Sequence, residues 1–113
     1  MMIARPFILV LVLLASSGVE RKDVIDPVPA SRAVFIKDFA FVPAVLNVSV
    51  GETVTWTNQD DDPHSVVAND KSFRTRALDT GEKDSVVFNR PGEYGYYCSL
   101  HPHMTAKIIV TAP

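Results

Sequence analysis

The sequence predicts an all-β Greek-key sandwich or barrel of about seven to eight strands. Two observations carry that expectation. From Ala33 onward, short apolar or alternating runs follow one another, separated by Gly, Pro, Asn and Asp, and Val, Ile, Thr, Phe and Tyr dominate them, as in strands bounded by turns. No segment shows the 3.6-residue apolar period of an amphipathic helix, and there is no internal repeat.

Taken in order, the expected strands are Ala33–Asp38, Leu46–Val50, Thr53–Asn58, His64–Ala68, Ser85–Asn89, Glu93–Cys98 and Ala106–Thr111. The clearest is Thr53–Asn58, where Val54 and Trp56 alternate with Thr53, Thr55 and Thr57, the pattern of a half-buried strand. Trp56 is expected to be the largest core residue, since one buried aromatic covers roughly 150–250 Å².

The first residues read differently. Arg5 precedes the apolar run Phe7–Leu14, which ends in Ala15, Ser16, Ser17 and Gly18. A basic start, a short apolar stretch and a small-residue end predict a signal peptide over 1–17, with an uncleaved N-terminal anchor as the alternative. The run is shorter than the ~20 apolar residues that cross a bilayer, so no membrane span is expected in the mature chain. Residues 18–32, charged and with two prolines, are expected to form a flexible leader, and 33–113 the folded domain. Export implies a periplasmic protein.

Without residues 1–17 the chain keeps 10 basic and 13 acidic side chains. That acidic balance argues against nucleic-acid binding, whose minimum signature is a basic patch. With one cysteine, Cys98, no internal disulfide can form, and a lone thiol in an exported protein suggests pairing between chains, a reactive thiol or a metal ligand.

Strand parity permits the last. If the Val50-Gly51-Glu52 turn lies at the bottom of the sandwich, Thr53–Asn58 climbs to the top, and His64 starts a strand descending from there. Asn69–Lys83 returns the chain upward. The Pro91-Gly92 turn then lies at the bottom, Glu93–Cys98 delivers the thiol to the top, and Met104 precedes a strand leaving the same end. His64, Cys98, His101 and Met104 can therefore meet on loops held by a rigid scaffold.

Two imidazoles, a thiolate and a weak thioether make the trigonal His₂Cys site with a long axial Met that characterises blue copper. All four positions are ligands, so none is open for a substrate, and an enzyme is not expected. A structural zinc site would close with Cys and His rather than Met. A Cys–His nucleophile pair would need an orienting Asn or Asp that is not evident.

The stretches "FAFVPAVLNVSVGETVTWTNQDDDPHSV" (39–66) and "GEYGYYCSLHPHM" (92–104) resemble the ligand-bearing segments of cupredoxins. The short C-x₂-H-x₂-M loop and Asn58-x-Asp60-x-x-Pro63-His64 are most similar to amicyanins. The resemblance implies a type 1 copper ion bound by His64, Cys98, His101 and Met104, with His101 as the electron exit beside Pro63, Leu100 and Pro102. Two features depart from the family pattern. Ser65 stands where Asn commonly braces the two ligand loops, so a weaker brace to Ser99 is expected. His103 and the acidic Asp60-Asp61-Asp62 replace part of an apolar docking face. They argue against methylamine dehydrogenase, the amicyanin partner, and for a transient basic redox partner such as a c-type cytochrome; a merely solvated acidic loop is the alternative.

The functional expectation is a small monomeric electron-transfer protein cycling between Cu(I) and Cu(II). The competing one is a periplasmic copper-binding or delivery module, toward which only His103 leans. An enzyme subunit would need a second metal centre, and the chain has three histidines in all.

Overall fold

The computed structural model describes residues 3–4 and 31–113. The expected signal peptide, 1–17, and leader, 18–32, lie outside the described residues except for Ile3, Ala4, Ser31 and Arg32. Among the described residues no helix is long and apolar enough to cross a membrane.

Eight strands form two four-stranded sheets. They are β1 (Ser31–Lys37), β2 (Ala40–Val42), β3 (Val45–Ser49), β4 (Thr53–Asn58), β5 (Val67–Ala68), β6 (Lys83–Val87), β7 (Gly92–Tyr97) and β8 (Thr105–Thr111). One sheet has the order β2-β1-β4-β6 and the other β3-β8-β7-β5. The two parallel pairs, β1 with β4 and β3 with β8, cannot be joined by hairpins, so the chain crosses between the sheets.

The expected strand order and directions hold, but most strand ends shift by one or two residues, one expected strand shortens and one strand is added. Ser31 and Arg32 already pair with Thr53 and Val54 in β1. The three-residue β2 was not foreseen; it pairs antiparallel with β1, and three residues are too few to show a period. The run His64–Ala68 is a strand only at Val67 and Ala68, while His64 forms an isolated bridge with Leu78.

The core lies between the sheets. In β4, Val54 and Trp56 are fully buried, and Thr53, Thr55 and Thr57 alternate with them on the outer face. The Trp56 ring meets Tyr96 of the opposite sheet edge-on, centroids 5.5 Å apart. Phe73 stacks on Trp56 at 6.0 Å and meets Phe88 edge-on at 5.1 Å. At the bottom, Gly51 takes a φ of +91°, a conformation glycine adopts without steric cost, and its N–H donates to the Phe88 carbonyl at 2.7 Å. At the top, the loop after β4 and the loop after β7 lie side by side.

Candidate metal centre

Each of the two loops is built by local hydrogen bonds. After β4, the fully buried Asn58 acts as the organiser. Its amide donates to the carbonyls of Asp62 at 2.8 Å and Leu78 at 2.9 Å. Its Oδ1 accepts the Asp60 N–H at 2.9 Å, an Asx turn. His64 is then clamped to Leu78, each N–H donating to the other's carbonyl at 3.1 and 2.7 Å.

After β7, the His101 N–H donates to Cys98 O at 3.2 Å and the Met104 N–H to His101 O at 2.9 Å. The Cys98 N–H closes the loop on Met104 O at 3.1 Å. The two-residue spacings are what allow these one-turn closures, and they place Met104 across from Cys98, buried in the same core cluster.

The thiol Sγ of Cys98 lies 3.7 Å from His64 Nδ1 and 3.8 Å from His101 Nδ1. One donor atom from each of these three residues falls within 4.8 Å of the others. Cys98 and His64 are completely buried, Met104 nearly so, and His101 is partly exposed. His103 is exposed and stands outside the group.

The surroundings orient these donors. His64 Nε2 lies 2.8 Å from Asp60 Oδ2, which leaves Nδ1 facing the thiol, the way an outer carboxylate usually fixes a ligating imidazole. The Ser65 N–H donates to Cys98 Sγ at 3.3 Å. Ser65 does join the two ligand loops. Its hydroxyl meets the Ser99 hydroxyl at 2.6 Å and accepts the Ser99 N–H at 2.9 Å. The backbones approach closely enough that the short side chain spans both loops.

Asp60 is also reassigned. Its carboxylate is turned inward, accepting the N–H groups of Asp38 at 2.7 Å and Phe39 at 2.9 Å. Burial opposes its ionisation, but those N–H groups and His64 outweigh it and hold the carboxyl below its ordinary value. Of the acidic triplet, Asp61 and Asp62 remain exposed. Phe39 itself was overlooked by sequence reasoning. Its ring contacts both imidazoles edge-on, at 5.1 Å from His64 and 5.2 Å from His101.

The donor set suits copper. Two imidazole nitrogens and one thiol sulfur face a common point, with a buried thioether residue on the same loop, and such mixed soft and borderline ligands favour copper over hard cations.

Comparison with known proteins agrees. Residues 30–111 match the family of copper-binding proteins of the plastocyanin/azurin type. The chain is 32% identical over 89 residues to an amicyanin of Paracoccus versutus, covering 74% of this chain and 67% of that protein. To amicyanin-alpha of Methylorubrum extorquens it is 33% identical over 94 residues, covering 78% and 79%. Among solved structures, a purple cupredoxin from Nitrosopumilus maritimus superposes with a TM-score of 0.67 at 32% identity, covering 71% of this chain and 99% of the other. The chain therefore belongs to the plastocyanin/azurin family of copper-binding proteins, and copper is its cofactor.

Proposed function

We propose that this protein is an exported, periplasmic one-electron carrier whose copper is held by His64, Cys98, His101 and Met104. The observation that supports it most is the approach of His64 Nδ1, Cys98 Sγ and His101 Nδ1 to within 4.8 Å of one another. Copper, when bound, supplies a Cu(I)/Cu(II) couple that the thiolate, imidazoles and thioether suit in both states.

The chain's own residues supply the rest. Cys98 and His64 lie in the interior, so water is kept from the thiol. The Ser65 N–H hydrogen-bonds the sulfur, and the loop closure from Cys98 to Met104 limits ligand movement, so little rearrangement accompanies the electron. His101 is the exit. It is partly exposed, and Pro63, Leu100 and Pro102 on the two ligand loops are exposed as well, apolar residues that would form the rim through which a partner approaches. The reading is that of a carrier rather than an enzyme, with a transient redox partner, such as a c-type cytochrome, at that rim.

The test is the visible and EPR spectrum of the protein after one equivalent of Cu(II), beside Cys98→Ala. An intense thiolate-to-copper band with narrow copper hyperfine splitting, absent in Cys98→Ala, supports the assignment. A pale spectrum that Cys98→Ala leaves unchanged overturns it.

A further inference from the structure

The turn between β1 and β2 adopts a backbone that its residues disfavour. Asp38 and Phe39 have φ values of 51° and 58°, and a non-glycine residue held in the left-handed region costs on the order of 1 kcal/mol or more. The Asp60 carboxylate compensates, taking the Asp38 N–H on Oδ1 and the Phe39 N–H on Oδ2. Asp60 is fixed in turn. Its N–H donates to Asn58 Oδ1 and its carbonyl accepts the Thr80 hydroxyl at 2.6 Å.

The consequence is the placement of one ring. Phe39 stands perpendicular to both imidazoles, at 90° to His64 and 88° to His101, while the imidazoles lie 4.9 Å apart. Edge-to-face contact of this kind is favourable beyond simple burial. Phe39 nevertheless stays 44% exposed, so core packing does not account for its position. His64 is already immobilised by burial, by Leu78 and by Asp60. His101 sits on the surface loop, and the Phe39 ring supports it from a different part of the chain.

We propose that Phe39 is a positioning residue for the metal centre, locked by Asp60 so that its ring braces both imidazoles and restrains His101 during electron transfer. The proposal rests on the reading of His64 and His101 as ligands. A restrained ligand rearranges less between oxidation states, so removing the brace slows electron transfer and alters the site without emptying it.

The experiment compares the copper-loaded protein with Phe39→Ala, Phe39→Leu and Phe39→Tyr. Three quantities are read: the EPR spectrum, the reduction potential, and the rate of self-exchange, in which one electron leaves a reduced copy and enters an oxidised one. Phe39→Ala and Phe39→Leu are expected to keep the thiolate band, shift the potential and EPR parameters, and lower self-exchange by about tenfold to a hundredfold. Phe39→Tyr, which keeps the aromatic edge, restores most of the rate. Unchanged potential and EPR in Phe39→Ala overturn the brace even if the rate falls, because Phe39 would then act only as a docking contact. Absence of the thiolate band from the unaltered protein overturns the ligand reading, and the brace with it.

Discussion

The hydroxyls of Ser65 and Ser99 lie 2.6 Å apart, joining the loop that follows β4 to the loop that follows β7. Ser65 also accepts the Ser99 N–H, and its own N–H reaches the Cys98 sulfur. A single buried serine therefore fixes the separation of the two loops and solvates the thiolate. Ser65→Ala removes the hydroxyl bonds and keeps the N–H to sulfur. It is expected to destabilise the metal-free protein by about 1–2 kcal/mol, the usual cost of such bonds. It should also change the reduction potential while retaining the thiolate band. Denaturant unfolding and voltammetry check the two parts separately.

The parts of this site legible in sequence are those written in local spacing. Cys98, His101 and Met104 are each separated by two intervening residues, and the hydrogen bonds that close their loop run within the same segment. The alternation of Val54 and Trp56 with threonines reports one buried strand face. The roles of Phe39 and Asp60 depend on β1 ending beside the loop after β4. That juxtaposition follows from the parallel pairing of β1 with β4, which no short-range pattern encodes. For the same reason an aspartate triplet looks uniform in sequence, although one carboxylate is engaged inside and two are exposed.

That difference sharpens the docking expectation. Asp61 and Asp62 are exposed beside His64's loop and carry the acidic charge there, whereas Asp60 is committed to backbone N–H groups. Asp61→Asn with Asp62→Asn is expected to slow association with a basic cytochrome c and to flatten the dependence of that rate on ionic strength, because opposite charges steer encounter. Stopped-flow kinetics at several salt concentrations test this. Equal salt dependence in both proteins would reject acidic docking.

Trp56 makes the largest contribution to the core. It is fully buried and spans from β4 to Tyr96, Phe73 and Phe88. Trp56→Ala leaves a cavity between the sheets and is expected to cost about 3–5 kcal/mol. Small domains have stabilities of roughly 5–15 kcal/mol, so this variant should be close to unfolding at ambient temperature. Trp56→Phe, which keeps a ring, should lose less. Denaturant midpoints of the metal-free proteins give the comparison free of any contribution from bound copper.

Tyr96 couples the same core to pH. Its side chain is 1% exposed, and its hydroxyl and the Trp56 indole N–H both lack a hydrogen-bond partner among the described residues. Burial pushes the phenol up from 10.0 to about 12. The folded protein therefore holds the Tyr96 proton at pH values where the unfolded chain has released it. The stability this contributes is intact below pH 10.0, falls as the pH rises toward about 12, and amounts to about 2–3 kcal/mol across that window. Tyr96→Phe removes an unpartnered buried hydroxyl, so at neutral pH it should be neutral or stabilising. In alkaline solution its stability should decline less steeply than that of the unaltered protein. Tyr94 and Tyr97 are common to both proteins, so the difference between the two curves belongs to Tyr96. Parallel curves between pH 9 and 12 would show that Tyr96 does not govern the alkaline limb.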